Sequence, residues 1–137
     1  MSSRTRWLVL AVVATDTTFV RARYGDHEAF IGKCLHCGAR LVVGLDGEPV
    51  SRATIEHVLP RAHGGTDALE NLALACARCN SEKGVRHDSK PRFDGRLAEV
   101  VESLAKRRME RWAEPPESLR EAHARYLARR EPPKKRR

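Results

Sequence analysis

The stretch IEHVLPRAHGG, residues 55–65, sets a carboxylic acid and an imidazole side by side, Glu56 and His57, ahead of Pro60, a second histidine (His63) and Gly64-Gly65. A neutral histidine accepts a proton from water near pH 7, so His57 is a candidate general base. On either side stand two C-x-x-C pairs, Cys34/Cys37 and Cys76/Cys79. Each such turn presents two sulfurs toward one point, and two together complete a tetrahedral four-thiolate zinc site. Four sulfurs leave no coordination position for substrate or water, so this metal is expected to be structural. It would tie residue 34 to residue 79 and close a loop around the whole acid-histidine segment. Two redox pairs or a disulfide pair are the alternative reading. His36, between Cys34 and Cys37, reads as an exposed bystander.

The elements that must position these groups are short. Alternation in TTFVRARY predicts a strand near residues 18–24, Tyr24-Gly25-Asp26 a turn, and EAFI a returning strand. CLHCGARLVV reads as a knuckle followed by a strand, with Gly38 letting the backbone fold back. After the turn Asp46-Gly47-Glu48-Pro49, SRATIEHVL is expected as a strand returning onto ARLVV. NLALAC reads as a short strand, and ARCNSEKG as one or two turns of helix stopped by Gly84. Beyond Pro91, Leu97, Val100, Val101, Leu104 and Trp112 fall near helical spacing and predict a helix over 94–113 with one apolar face. Pro115-Pro116 break it, and Leu119, Ala122, Tyr126 and Leu127 mark a second helix over 117–130. PPKKRR, residues 132–137, carries no apolar residue beyond its prolines and is expected to be disordered.

The chain has 137 residues, room for one domain with a modest core, and its 5% aromatic content favours a metal staple. Its charge is uneven. Residues 1–104 hold 14 Lys and Arg against 13 Asp and Glu, whereas residues 105–137 hold 12 against 5. A basic C-terminal segment points to nucleic acid through counterion release, or else to a solvated tail. The apolar run WLVLAVVA, residues 7–14, is too short to span a bilayer, which needs about 20 residues. It reads as a buried strand or helix, or with Arg4 and Arg6 ahead of it as a signal peptide; no membrane association and a cytoplasmic location are the default.

Together, Glu56-His57, Pro60, Gly64-Gly65, Asn71-Leu72, Cys76, Cys79-Asn80 and Lys83-Gly84 resemble the HNH endonuclease family, in the form whose ββα-metal finger is braced by a four-cysteine zinc. The resemblance covers about residues 33–87 and implies an α+β fold, a small zinc-braced finger with N-terminal strands and C-terminal helices. It implies that His57 is the general base, that Asn71 is the middle asparagine and that Asn80 stands at the name's final position, an H-N-N version. Glu56 falls where the family usually has a metal-binding aspartate. Its longer side chain leaves open direct coordination, coordination through water, or the orienting of another group. The expected organisation is an N-terminal apolar segment (1–32), the nuclease finger (33–90), basic helices (91–131) and the tail (132–137).

The residue chemistry agrees with phosphodiester hydrolysis in DNA, most simply duplex DNA. That reaction needs a nucleophile, charge stabilisation and help for the leaving group. A hard divalent ion such as Mg²⁺ takes oxygen ligands, which the Glu56 carboxylate and the Asn80 amide supply. Asn71 has donors and an acceptor with which to pin the loop backbone and so fix His57. Arg61 and Lys83 are candidate phosphate contacts, as are Lys134, Lys135, Arg136 and Arg137 in the tail. His63 reads as a phosphate contact, a support for His57, or an exposed loop residue; His87 is similarly open. The competing function is a zinc finger that binds nucleic acid without cutting it, and a nuclease toxin is a third. The intact set of His57, Asn71 and Asn80 favours catalysis.

Overall fold

A computed structural model describes residues 2–51, 53–89 and 95–130. The tail, with Lys134, Lys135, Arg136 and Arg137, lies outside the described residues. The chain opens with helix α1 (Ser3–Ala14), whose N-terminus is capped by the Ser2 hydroxyl accepting from the Thr5 N–H. WLVLAVVA is thus helical despite its β-branched residues. Leu8, Val9, Ala11, Val12 and Val13 are all buried, and burial outweighs their modest helix propensity.

Three antiparallel strands follow in order β1 (Val20–Tyr24), β2 (His27–Lys33) and β3 (Arg40–Gly44). A separate two-stranded ribbon pairs β4 (Ala53–His57) antiparallel with β5 (Leu72–Cys76), in a register that sets His57 opposite Leu72. This corrects the expectation that SRATIEHVL returns onto ARLVV. The chain does begin to pair there, with the Val50 and Ser51 N–H groups both donating to the Val42 carbonyl. The Ser51 hydroxyl then accepts the Val42 N–H at 2.9 Å, which ends the ladder and releases the chain toward β5. LALA of β5 is buried throughout, so a strand with that composition needs a partner inside the molecule.

Helix α2 (Ala77–Lys83) starts from Cys76. Gly84 does not stop it, contrary to expectation: its φ and ψ of −57° and −48° are helical, and the chain continues in a wider π-helical turn through Asp88. The wider turn sets Asp88 five residues after Lys83, where its carboxylate oxygens both lie 2.9 Å from the Lys83 ammonium. Helices α3 (Gly95–Glu110) and α4 (Glu117–Arg130) complete the fold. The architecture is α+β, as expected, with strands followed by helices after the opening helix α1. No helix among the described residues is long and apolar enough to cross a membrane.

Two clusters make the core. In the larger, Leu8, Val9, Val12 and Val13 of α1 meet Leu41 and Val43 of β3 and Leu72 and Leu74 of β5. In the smaller, Leu104, with Val100 and Val101 beside it, covers Leu35, Val58 and Ala73, so the apolar face of α3 packs on the knuckle and the ribbon. The same helix and the residue after it spend three arginines internally. Arg107 donates to the carbonyls of Leu35 and His36, and Arg111 to those of Lys33 and Cys34. Arg108, 0% exposed, donates to the Leu72, Leu69 and Thr15 carbonyls and to the Thr15 hydroxyl. Part of the basic C-terminal charge therefore holds the fold together rather than facing a polyanion.

Candidate active site

The four cysteines converge. Their sulfurs all lie within 4.8 Å of one another, Cys34 buried, Cys76 and Cys79 half-buried, and Cys37 exposed. Local backbone builds this cluster. The Gly38 N–H bonds the Cys34 carbonyl at a φ of 74°, closing the first knuckle, and Cys76 caps α2 by accepting the Cys79 N–H on sulfur. The Cys76 N–H also points at the Cys34 sulfur, 3.3 Å away. Backbone donors aimed at sulfur suit thiolates. Burial and the neighbouring sulfurs push the Cys79 thiol well above its usual range, so a bound cation must displace its proton. Four thiolates in this arrangement fit a tetrahedral zinc, with no water-bearing position left.

His57 lies at the end of β4, and the loop after it is shaped by two glycines for different reasons. Gly64 takes a φ of 92°, which side chains other than glycine rarely adopt. At Gly65 a Cβ would fall 1.7 Å from the Leu59 carbonyl oxygen. Asn71 closes the loop from the end of a 3₁₀ turn (Leu69–Asn71) just before β5. Its Oδ1 accepts the Leu59 N–H at 2.7 Å, and its Nδ2 donates to the carbonyls of Leu59 and Thr66 at 3.0 and 2.8 Å. One amide thus fixes both limbs of the segment that follows His57.

The folded loop brings in a residue that the sequence reading passed over, Asp67. It is 7% exposed, and its Oδ1 lies 2.7 Å from His57 Nε2. Arg61 donates through one nitrogen to both Asp67 oxygens, at 2.7 and 2.8 Å, and Tyr126 of α4 donates its hydroxyl to Oδ2 at 3.0 Å. The Asp67 carbonyl lies 2.7 Å from His123 Nε2. Burial raises the pKa of this carboxyl, but the hydrogen bonds from His57 and Tyr126 and the charges of Arg61 and His57 outweigh it. The net result is a pKa below the ordinary carboxylate value. Arg61 Nε also lies 3.1 Å from His57 Nε2. His57 Nε2 thus faces an acceptor, Asp67, and a donor, Arg61 Nε–H; the shorter, charge-assisted Asp67 contact favours the tautomer with the proton on Nε2 and the lone pair on Nδ1. The segment between His57 and Asn71 holds two acids, Asp67 and Glu70, and nothing in their spacing marks Asp67 as the one that meets the histidine.

The opposite face of β4 carries Glu56, 1% exposed. One of its oxygens is bonded to His36 Nε2, and the other lies 3.6 Å from the Lys83 ammonium without a hydrogen-bond partner. His36 is therefore no bystander: the knuckle turns it inward onto Glu56. Lys83 likewise differs from the phosphate contact expected of it. Its side chain is 2% exposed and donates to the His57 carbonyl at 3.0 Å and to Asp88. Asn80 donates through Nδ2 to the Thr54 hydroxyl and the Ile55 carbonyl, which commits its nitrogen and leaves its oxygen as an acceptor. Arg61 stays half-exposed, tied to Asp67. His63 lies in a short 3₁₀ turn (Arg61–His63), and His87 in the π-helical turn.

Residues 34–86 match the family model described as HNH endonuclease. Over 53 residues the chain is 36% identical to the CRISPR-associated endonuclease Cas9 of Corynebacterium diphtheriae, a stretch covering 38% of this chain and 4% of that protein. No solved structure matches the chain.

Proposed function

We propose that this chain, which carries an HNH endonuclease domain over residues 34–86, hydrolyses phosphodiester bonds in DNA with His57 as general base and with the help of a divalent ion. The observation that carries this reading is the Asp67–His57 pair, 2.7 Å apart at the mouth of a loop locked by Asn71. Asp67 holds the Nε2 proton, so Nδ1 is the nitrogen that accepts a proton from water. The water oxygen forms a bond to phosphorus, the bond to the leaving oxygen breaks, and the water's proton passes to His57. Arg61, half-exposed beside the histidine, is placed to meet a phosphate oxygen by exchanging part of its hold on Asp67.

The residues fit a hard catalytic cation by their donor chemistry. Glu56 offers a buried carboxylate oxygen without a hydrogen-bond partner, and the Asn80 amide oxygen would be the further ligand. Such an ion, when bound, supplies charge stabilisation to the phosphate and the leaving oxygen. Lys83 lies near the same Glu56 oxygen and partly neutralises it, so Glu56 serves the ion and the fold together. The four cysteines hold the separate structural zinc. The finger (33–90) would cut, while the N-terminal segment and the C-terminal helices brace it.

Nicking of supercoiled plasmid by the purified protein, with and without Mg²⁺ or Mn²⁺, tests the reading. Cleavage is expected only with added divalent ion. His57→Ala is expected to keep its zinc and its fold, with a somewhat lower melting temperature because Asp67 loses one partner, and to lose on the order of 10²- to 10⁴-fold in rate at a temperature where both proteins are folded. Wild-type rates from that variant would remove His57 from the role of base.

A further inference from the structure

Helices α1 and α4 flank a cleft of about 370 Å³ that no part of the proposed reaction uses. Three guanidinium groups border it, those of Arg4, Arg125 and Arg129, and among the described residues no acidic one lines it. All three arginines are exposed. Trp7 and Tyr126 line the rest of the cleft, with Ser3 and Ala122. Trp7 stacks on His123 with ring centroids 5.7 Å apart and planes 10° from parallel, and meets Tyr126 at 5.5 Å. Like charges gathered around one concavity repel each other unless an anion visits, and an aromatic wall next to them suits the face of a base. The cleft is also tied to the reaction centre. Tyr126 reaches from its wall to Asp67, whose other oxygen touches His57, and His123 behind Trp7 is held by the Asp67 carbonyl.

We propose that this cleft binds one nucleotide of the DNA strand engaged at His57, its phosphate on Arg4, Arg125 and Arg129 and its base against Trp7 and Tyr126. The proposal rests on the nuclease reading for the identity of the strand. It divides recognition between the cleft, which seats a flanking nucleotide, and the finger, which receives the scissile phosphate. Arginine suits the first task, since its planar fork bonds two phosphate oxygens at once.

The test compares two triple variants of the full-length, zinc-loaded protein. Arg4→Ala/Arg125→Ala/Arg129→Ala empties the cleft of charge. Arg21→Ala/Arg23→Ala/Arg40→Ala removes the same charge from the β1–β3 sheet. Binding of a short fluorescein-labelled DNA oligonucleotide is measured over a range of salt, without added divalent ion so that nothing is cut. The cleft variant is expected to bind on the order of tenfold or more weakly, with a log–log salt slope shallower by about 0.7–0.9 for each phosphate that the arginines no longer neutralise. The sheet variant should lose much less. Trp7→Leu is expected to weaken binding with the slope unchanged, as stacking carries no counterion release. A cleft variant with an unchanged melting temperature that binds with wild-type affinity and slope overturns the proposal. So does a sheet variant that loses as much. Wild-type protein that binds the oligonucleotide but leaves plasmid uncut under any divalent ion sinks the nuclease reading instead, and the cleft then stands or falls on the arginine comparison alone.

Discussion

Asp67 is a fold-holding side chain that the proposed reaction would also use. Its carboxylate gathers His57, Arg61 and Tyr126, and its low pKa makes that gathering pH-dependent. A carboxyl whose folded value lies below its unfolded value, 3.8, stabilises the fold above that value, and the contribution is lost as pH falls through the folded one. Asp67→Asn should therefore lower stability at pH 7 by about 1–3 kcal/mol and flatten the loss of stability below about pH 4. Melting temperatures of both proteins from pH 7 to pH 3 check this; parallel curves would mean that Asp67 is not the titrating group. At this scale the sequence was legible for residues whose spacing is itself a pattern, such as the cysteines. It was opaque for Asp67, His36 and Lys83. Asp67 and His36 gain their partners only when a loop or knuckle folds back across the strand. Lys83 looked like an ordinary helix-end cation until the π-helical turn delivered Asp88 to it.

Among the elements, α3 was readable by its apolar residues, and Leu104 does face the core. Its arginines were not, because a cation at helical spacing ordinarily marks a solvated face. Here the surface opposite presents carbonyls at the knuckle and at the start of β5, and guanidinium groups bond them. Burial lowers the Arg108 pKa, an effect that the charges of Asp16 and Glu70 partly offset, and the ring of Trp112 lies 5.0 Å from its guanidinium. Arg108→Lys keeps the charge but cannot reach Leu72, Leu69 and Thr15 together. It should cost about 2–4 kcal/mol, read as a lower urea midpoint with an unchanged slope. A midpoint within error of wild type would show that the carbonyls find other partners. The ribbon's pairing was misjudged for a related reason. Strand period and turns mark where a strand lies, but a single serine hydroxyl decided which neighbour it left.

For the molecule as a whole, the cysteine cluster draws together parts far apart in the sequence, which the His36–Glu56 contact and the Leu35 packing also join. It binds the knuckle, which carries His36 and receives α3, to the start of α2, which carries Asn80 and Lys83. Removing a structural metal removes folding free energy directly, on the order of 10 kcal/mol for small zinc domains. A zinc chelator, or Cys34→Ser, should thus unfold the finger and abolish cleavage together, followed by circular dichroism and metal content. A reduced, folded protein that contains no metal would contradict the assignment. The α+β class and the braced finger were legible from the sequence because the metal's spacing rules are rigid. The involvement of α4 in the His57 site was not, since it depends on Tyr126 and His123 meeting a residue more than fifty positions earlier.

The pairing of His57 with Leu72 has a mechanical consequence. A two-stranded ribbon behaves as a cantilever: its last pair is the most exposed and the least steady, and such ribbons alone are barely stable. His57, the proposed base, sits at that last pair. Yet the His57 carbonyl is gripped by Lys83 and the Leu72 carbonyl by Arg108, each side chain almost wholly buried. The free end of the beam becomes a clamped one. The imidazole keeps the access of an edge position while its backbone is held with the stiffness of a core, and a displacement of about 1 Å is enough to cost a catalyst about 10²-fold in rate.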